Sequence, residues 1–412
     1  MIHIEKFTLD NGLRFIYHKD ESSPIAVVNT LYNVGAKDED PNQTGFAHLF
    51  EHLMFGGSVN IPDFDIELQK TGGENNAFTS NDITNYYITL PSQNIETAFW
   101  LESDRMLGLD FSQNKLDAEK NIVIEEFKER YLNLPYGDLW MHLRKLAYEN
   151  HPYSWPTIGK EISHIEKATL NDVKSFFYRF YAPDNAILVV SANLETNYVY
   201  DLSKKWYGNI EKRNVQPTVL PLIPESKKQK RLKVESNVPY DTLYMVFNMC
   251  EKKHPDFQVT DLLSDVLSNG RSSRFYQNLL MKGELFAEID AYLTGDLHGG
   301  LFVIMGTLLE GVSMEQAEDA IWKEIDNLVK NGVGEYELEK VKNKFESSKV
   351  FSELNASSRV YLIAMHELVG DADDINLEVE KYRKVTGEEI INIARTILTK
   401  ENSSVLNYYA KK

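Results

Sequence analysis

The order of strand-like and helix-like segments occurs twice along the chain, and this repeat limits the possible folds more than any other feature. In each half, two β-rich runs precede a helical segment that stops at glycine or at Ser-Asn-Gly. These segments are residues 13–18, 25–34 and 45–55 in the first half, and residues 231–236, 242–249 and 257–267 in the second. Strand runs followed by helix runs predict an α+β fold with two homologous domains, each a mainly antiparallel sheet with helices packed on one face.

A proline-rich stretch separates the two halves. Residues 211–230 contain Pro217, Pro221 and Pro224 and end in a group of lysines, a composition typical of a solvated connector. We therefore predict a first domain at residues 1–212, a linker at 213–230 and a second domain at 231–412. The total of 412 residues suits two domains of about 200 residues each.

Charge and hydropathy exclude several classes of protein. The formal net charge is −18, and nucleic-acid binding requires a positive surface, so we expect no nucleic-acid partner. No run of 18 apolar residues occurs, so no membrane span is expected. The first 13 residues alternate apolar and polar side chains and do not resemble a signal peptide, which predicts a cytoplasmic protein. A periplasmic protein whose leader had been removed would look the same, and that is the alternative.

The segment HLFEH places three polar residues on a mostly apolar helix. His48 and His52 are four positions apart, so both imidazoles lie on one helical face and can reach the same metal ion. Glu51 adjoins His52, and the order inverts the HExxH motif of many zinc peptidases. Polar side chains on a buried helix need partners, and a metal would explain all three. The alternative is a surface helix that carries two unrelated histidines.

A catalytic zinc site needs a third protein ligand, because such sites use three protein ligands and leave one position for water. Glu119 and Glu126 are seven residues apart and share one helical face, whereas Glu125 points about 100° away from Glu126. We predict one zinc ion per chain, with Glu126 as the third ligand and Glu119 as a nearby acid. Glu51 would then act as the general base that takes a proton from water.

Five segments of the chain resemble the insulinase, pitrilysin and mitochondrial-processing-peptidase family of zinc metallopeptidases. They are GFAHLFEHLMFGGS (45–58), NAFTSNDITNYY (76–87), the acidic run 119–126, HPYSWPTIG (151–159) and YAPDNA (181–186). The resemblance covers nearly the whole chain. It implies a zinc endopeptidase whose two halves face each other like a clamshell and enclose a chamber that admits peptides.

The resemblance also implies roles for individual residues. A peptide substrate would add as a β-strand to an exposed sheet edge formed by Asn76, Ala77, Phe78 and Thr79, since a free edge offers backbone donors and acceptors. The alternative for Asn76 is a turn residue that caps a strand. His151 matches a structural position in a loop of the family.

The second half departs from the pattern of a metal site. Its residues Asp261, Ser264 and Asp265 align with the three polar residues of the first half, so no second metal is expected. Active single-chain members carry an Arg and a Tyr, seven residues apart, that bind substrate and stabilise the oxyanion. Leu280 and Ala287 occupy those positions here. Three residues could replace them if this register is wrong: Arg271, Arg274 and Tyr292.

Some members of the family that this chain resembles are two-chain enzymes, in which one subunit binds zinc and the other brings the Arg and the Tyr. The resemblance and the missing pair together predict a homologous partner subunit, with this chain as the zinc-bearing subunit. Two other functions stay open. One is a non-catalytic scaffold or assembly subunit, although such members usually lose part of the HxxEH set. The other is a peptide-binding module with a structural zinc, although structural zinc sites normally have four protein ligands.

Overall fold

The computed structural model describes residues 1–223 and 228–411, so residues 224–227 of the predicted linker lie outside the described residues. The chain forms two compact units, and neither is one continuous stretch of sequence. The first unit contains Met1–Lys128, Trp155–Leu220 and Phe351–Asn376, and the second contains Glu129–Ser154, Pro221–Val350 and Leu377–Lys412. Each unit therefore includes a segment from the other half of the sequence. The boundaries at 212 and 231 stay a prediction.

The described residues contain eleven strands in two sheets. The strands of the first sheet are β1 (Glu5–Thr8), β2 (Arg14–Lys19), β3 (Ile25–Tyr32), β4 (Glu74–Thr79), β5 (Thr84–Pro91) and β6 (Ala186–Ala192). The strands of the second sheet are β7 (Lys230–Ser236), β8 (Thr242–Asn248), β9 (Phe286–Leu293), β10 (Leu301–Leu308) and β11 (Ser403–Ala410).

Fourteen α-helices occur in the same described residues. They are α1 (Phe46–Leu53), α2 (Phe64–Gln69), α3 (Ile95–Leu107), α4 (Gln113–Phe127), α5 (Leu139–Tyr148), α6 (Ile162–Glu166), α7 (Leu170–Phe180), α8 (Thr196–Tyr207), α9 (Asp256–Ser268), α10 (Met314–Asn331), α11 (Glu335–Leu354), α12 (Ala356–Val369), α13 (Glu378–Lys384) and α14 (Gly387–Ile397). None of these helices combines the length and the apolar character that crossing a bilayer requires.

The two sheets share one topology. The strand order is β1-β2-β6-β3-β5-β4 in the first and β7-β11-β8-β10-β9 in the second. Each sheet has one parallel pair, β2 with β6 and β7 with β11, and all its other pairs are antiparallel. The prediction of two homologous α+β units with mainly antiparallel sheets is therefore confirmed, with β1 as an additional strand in the first unit.

In each unit, one helix also covers the opposite face of the sheet. In the first unit, Val360 and Ile363 of α12 pack in one apolar cluster with Val27, Leu31 and Val189 of the sheet. All seven residues of β6 are buried, so both of its faces are covered. This double burial explains why β6 is an apolar run and not an alternating pattern.

Helix α5 has the corresponding position in the second unit. Its residues Leu139 and Leu143 pack with Val246, Val303 and Leu406, which come from three strands of the second sheet. Residues one position away on these strands, such as Met245 and Ile304, belong to a different apolar cluster that includes α9, α10 and α14. Because neighbouring side chains of a strand point to opposite faces, the second sheet is also packed on both sides.

Candidate metal centre

Helix α1 divides the residues of the HxxEH segment by burial. The three polar side chains, His48, Glu51 and His52, are half-buried, whereas all the other residues of the helix are buried. The apolar residues anchor the helix in the first unit, where the rings of Phe46 and Phe50 pack against Phe176 of α7. The polar face is therefore held in one orientation and stays accessible to a small molecule.

The N-terminus of α1 is stabilised by the carboxyl group of a residue outside the helix. The helix begins after Gly45, which has φ +90° and lies so close to the Ile158 carbonyl that a Cβ would be 2.5 Å from that oxygen. Glycine has no capping side chain, and Glu39 supplies the acceptors: it accepts the backbone N–H of Gly45 at 3.0 Å and that of Ala47 at 2.9 Å. Glu39 also accepts the indole N–H of Trp155 at 3.0 Å.

Glu39 is 6% exposed, and burial raises its pKa to about 8, although the three N–H donors oppose this rise. No pattern in the sequence indicated this residue. It lies six positions before Gly45, outside the spacing of any local capping motif.

Helix α4 brings Glu126 to the two histidines. The Nε2 atom of His52 lies 3.5 Å from Oε2 of Glu126, and Nε2 of His48 lies 3.7 Å from Oε1 of the same carboxylate. One ligand atom from each of the three residues falls within 4.8 Å of both others. The structure thus brings together the three residues that we predicted as metal ligands.

The geometry and chemistry of this group fit zinc. With bonds of about 2.1 Å and tetrahedral angles, two zinc ligands lie about 3.4 Å apart. The separations of 3.5 Å from His52 Nε2 to Oε2 of Glu126 and of 3.7 Å from His48 Nε2 to Oε1 are close to this value. Two imidazole nitrogens and a carboxylate oxygen form one of the ligand sets of catalytic zinc, and they leave a fourth position for water.

Glu119 lies next to His52 but outside the group of three potential ligands. Its Oε2 atom is 3.4 Å from Nδ1 of His52, the ring nitrogen that does not face Glu126. A carboxylate in this position orients the imidazole and fixes its tautomer. Burial lowers the pKa of His52, but the hydrogen bonds to Glu119 and Glu126 outweigh it and raise the pKa to about 9. At neutral pH a metal would therefore displace a proton from His52 when it binds.

Glu51 points toward the end of an edge strand. The Thr79 hydroxyl donates a hydrogen bond of 2.6 Å to Oε2 of Glu51. Thr79 is the last residue of β4, which pairs with β5 on one side and is the outermost strand of the first sheet in the described residues. The segment from Asn76 to Thr79 therefore lies at a sheet edge beside the polar face of α1.

Glu125 and His151, which the sequence did not predict as ligands, lie away from this group. Glu125 is exposed and forms an ion pair of 2.7 Å with Lys128. His151 is buried in the second unit, where its Nδ1 accepts the backbone N–H of Tyr153 at 3.1 Å. Neither residue belongs to the His48–His52–Glu126 group, the one potential metal-binding group of three or more found among the described residues.

In the second unit, Asp261 and Asp265 of α9 occupy the positions that correspond to His48 and His52 of α1. The Tyr382 hydroxyl donates to Asp261 at 2.6 Å, and the Asn269 amide donates to Asp265 at 2.5 Å. Burial raises the pKa of both carboxyl groups, that of Asp265 to about 6. These two acids satisfy their hydrogen bonds within the second unit.

The raised pKa of Asp265 predicts a pH-dependent stability effect. The pKa of Asp265 in the folded state lies above its unfolded value of 3.8, so folding favours the protonated carboxyl group. The stability that this group contributes is complete below pH 3.8 and is lost as the pH rises through about 6. The Asp265→Asn variant removes this loss. We therefore expect the stability gain of this variant over wild type to be about 1–2 kcal/mol larger at about pH 7.5 than at about pH 5.

Calorimetric melting temperatures at the two pH values measure this change. Asp319→Asn, at an exposed position of α10, is the matched control and should show no such difference. An Asp265→Asn variant with the same stability relative to wild type at both pH values would contradict the prediction.

The positions expected for an Arg and a Tyr in the second half carry neither. Leu280 lies in a π-helical turn and Ala287 is an exposed residue of β9. Of the three possible replacements, Arg274 is held by Glu337 at 2.8 and 2.9 Å and by a backbone carbonyl at 2.7 Å. Tyr292 packs against an apolar cluster of the second unit, and Arg271 is exposed.

Two family models match consecutive parts of the chain. The model described as Insulinase (Peptidase family M16) matches residues 14–161, and the model described as Peptidase M16 inactive domain matches residues 167–345. The chain belongs to the M16 peptidase family. The M16 assignment confirms the resemblance found in the sequence, and the second model agrees with the absence of the histidine pair from α9.

Several known proteins are similar to this chain over most of its length. Zinc protease PqqE of Helicobacter pylori is 29% identical over 362 residues, which cover 86% of this chain and 81% of that protein. Uncharacterized zinc protease YmxG of Bacillus subtilis is 24% identical, with 98% of each chain covered. A crystal structure of a protease from Helicobacter pylori superposes with a TM-score of 0.91 at 25% identity, covering 99% of this chain and all of that one. Pitrilysin shares the fold, with a TM-score of 0.80 at 16% identity over 100% of this chain and 45% of its own.

Proposed function

We propose that this chain is a zinc-dependent endopeptidase in which His48, His52 and Glu126 hold one zinc ion and Glu51 is the general base. The observation that carries the proposal is the convergence of His48 and His52 of α1 with Glu126 of α4, next to Glu51 of α1. The names of the relatives PqqE and YmxG, both zinc proteases, support the choice of metal.

When bound, zinc supplies Lewis-acid chemistry that polarises a peptide carbonyl and makes water more acidic. The chain's own residues do the rest. Glu51 takes the proton of the attacking water and passes it to the leaving amine. Glu119 keeps the His52 ring in the orientation that presents Nε2 to the metal. Glu39 holds the start of α1, so the two histidines and Glu51 keep a fixed relation to the sheet.

The substrate is a peptide in extended conformation that pairs with β4 along Asn76–Thr79. An edge strand offers unpaired backbone N–H and C=O groups, which bind any extended peptide without regard to its sequence. The strand ends at Thr79, whose hydroxyl contacts Glu51. A peptide on this edge therefore runs toward the general base. The enclosed chamber that the family resemblance implies stays a prediction.

We further propose that the chain is the zinc-bearing subunit of a two-chain enzyme. Leu280 and Ala287 supply no oxyanion donors, and Arg274 is already engaged in an ion pair. Loss of such donors costs about 100- to 1,000-fold in rate. A relative from Schizosaccharomyces pombe is named probable mitochondrial-processing peptidase subunit beta, which supports a division of the site between homologous chains.

The test measures the zinc content of the purified chain and its cleavage of a quenched fluorescent peptide library. Wild type should bind one zinc. Glu126→Gln should bind zinc at least about 100-fold more weakly, because one of the three direct ligands is lost. Glu125→Gln, the exposed neighbour, is the matched control and should keep the metal. Wild type without zinc would disprove the proposal.

The cleavage assay separates the remaining outcomes. Full turnover by the isolated chain would support the peptidase and overturn the two-chain proposal. Zinc binding with weak turnover that rises when a homologous subunit is added would support both. Zinc binding without turnover, alone or with a partner, would indicate the non-catalytic scaffold instead.

A further inference from the structure

The side chain of Thr79 makes a contact that substrate binding along β4 does not explain. Its hydroxyl donates to Oε2 of Glu51 at 2.6 Å, a short distance typical of a hydrogen bond to a charged carboxylate. Both side chains are half-buried, so the hydrogen bond is partly shielded from water. Thr79 therefore contacts the proposed general base directly through its side chain.

The pleat of β4 determines this contact. The side chains of Asn75, Ala77 and Thr79 are half-buried, and those between them are exposed, as expected for a strand whose side chains alternate between two faces. Phe78 lies on the other face, where its ring makes an edge contact of 5.3 Å with Tyr361 of α12. Since α12 holds Phe78 on one face, the Thr79 hydroxyl is directed to the face that contacts α1.

We propose that Thr79 is a positioning residue for Glu51. Its hydroxyl has one proton, and donating this proton to Oε2 restrains rotation of the Glu51 carboxylate. Thr79 is also the last residue of the strand on which the peptide would pair. The same strand thus sets both the line of the substrate backbone and the orientation of the base. This inference rests on the proposed peptidase function.

The kinetic test compares Thr79→Val with Thr79→Ser. Valine keeps the shape and the strand preference of threonine but cannot donate, whereas serine keeps the donor. We expect kcat of the valine variant to fall about 10- to 100-fold with KM little changed, and serine to restore most of the loss. Thr89→Val on β5 is the matched control, because its hydroxyl has only a 3.5 Å contact with Ser357, and it should keep wild-type kcat.

A second test needs no activity. In the metal-free protein, Thr79→Val should lower the melting temperature by about 2–4 °C, and the same change should have no effect in a Glu51→Ala background, where the acceptor is absent. A structural role of the hydroxyl that does not involve Glu51 would give the same shift in both backgrounds.

Equal kcat for Thr79→Val and wild type, equal losses for valine and serine, or additive melting shifts would each overturn the inference. Loss of zinc from Thr79→Val would also overturn it, because the residue would then act on the metal site and not on the base. If wild type with its metal cleaves no peptide, either alone or with a homologous subunit, the proposed function fails, and the catalytic role of Thr79 fails with it. A normal wild type with an unaffected valine variant would remove only the inference.

Discussion

The Glu51→Gln variant is expected to lose about 1,000- to 10,000-fold in kcat/KM for peptide hydrolysis while it keeps its zinc. The amide cannot take a proton from water, but its oxygen can still accept the hydrogen bond of Thr79, so the geometry of the helix is kept. Glu51 lies outside the group of three residues whose ligand atoms converge. Hydrolysis of the best peptide from the library, together with zinc content by elemental analysis, measures both effects.

The control for this experiment is Glu67→Gln. Glu67 is an acid of α2 in the same unit that forms a surface ion pair with Lys70, so its loss changes the net charge equally without touching the site. It should keep wild-type activity. A Glu51→Gln variant that retains hydrolysis would show that another group is the base, and a variant that loses its zinc would show that Glu51 contributes to metal binding.

The second large effect is expected for Arg105, which lies almost fully buried in the first unit. Its guanidinium forms an ion pair with Glu102, which has no solvent exposure, and lies 4.3 Å from the centre of the Tyr86 ring. Removal of one partner leaves an uncompensated charge in the interior, so Arg105→Met should lower the free energy of unfolding by about 3–5 kcal/mol. For a unit of this size the melting temperature should fall by about 10 °C, measured by calorimetry.

Two further variants make the result specific to the buried charge. Glu102→Leu combined with Arg105→Met should recover most of the lost stability, since a buried ion pair can often be replaced by apolar side chains at little cost. Arg179→Met, at an exposed position of α7, should change the melting temperature little. An Arg105→Met variant as stable as Arg179→Met, or a double variant no better than the single, would contradict the interpretation.

The sequence alone determined the side of each helix on which the site residues lie. His48 and His52 are one helical turn apart, and Glu119 and Glu126 are two turns apart, so the spacing predicted that each pair shares a face. The apolar residues between them predicted which face is buried. The repeated order of strands predicted two homologous units, because local hydrophobic patterns follow from secondary structure alone.

The distances between these elements depended on the tertiary structure. That Glu126 of α4 lies 3.5 Å from His52 of α1 follows from how the two helices pack, and the sequence between them carries no simple signal of this distance. The same holds for Thr79, for which the sequence suggested a contact with substrate and the structure shows a contact with Glu51.

Only the tertiary structure revealed which parts of the chain stabilise each unit. Glu39 and Trp155 meet at the start of α1 although 116 positions separate them, and α12 covers the first sheet although it lies near the end of the chain. Sequence periodicity reports the direction of a side chain relative to its own helix or strand. Contacts between distant segments depend on the packing of the whole unit, in which many different residues can fill the same space.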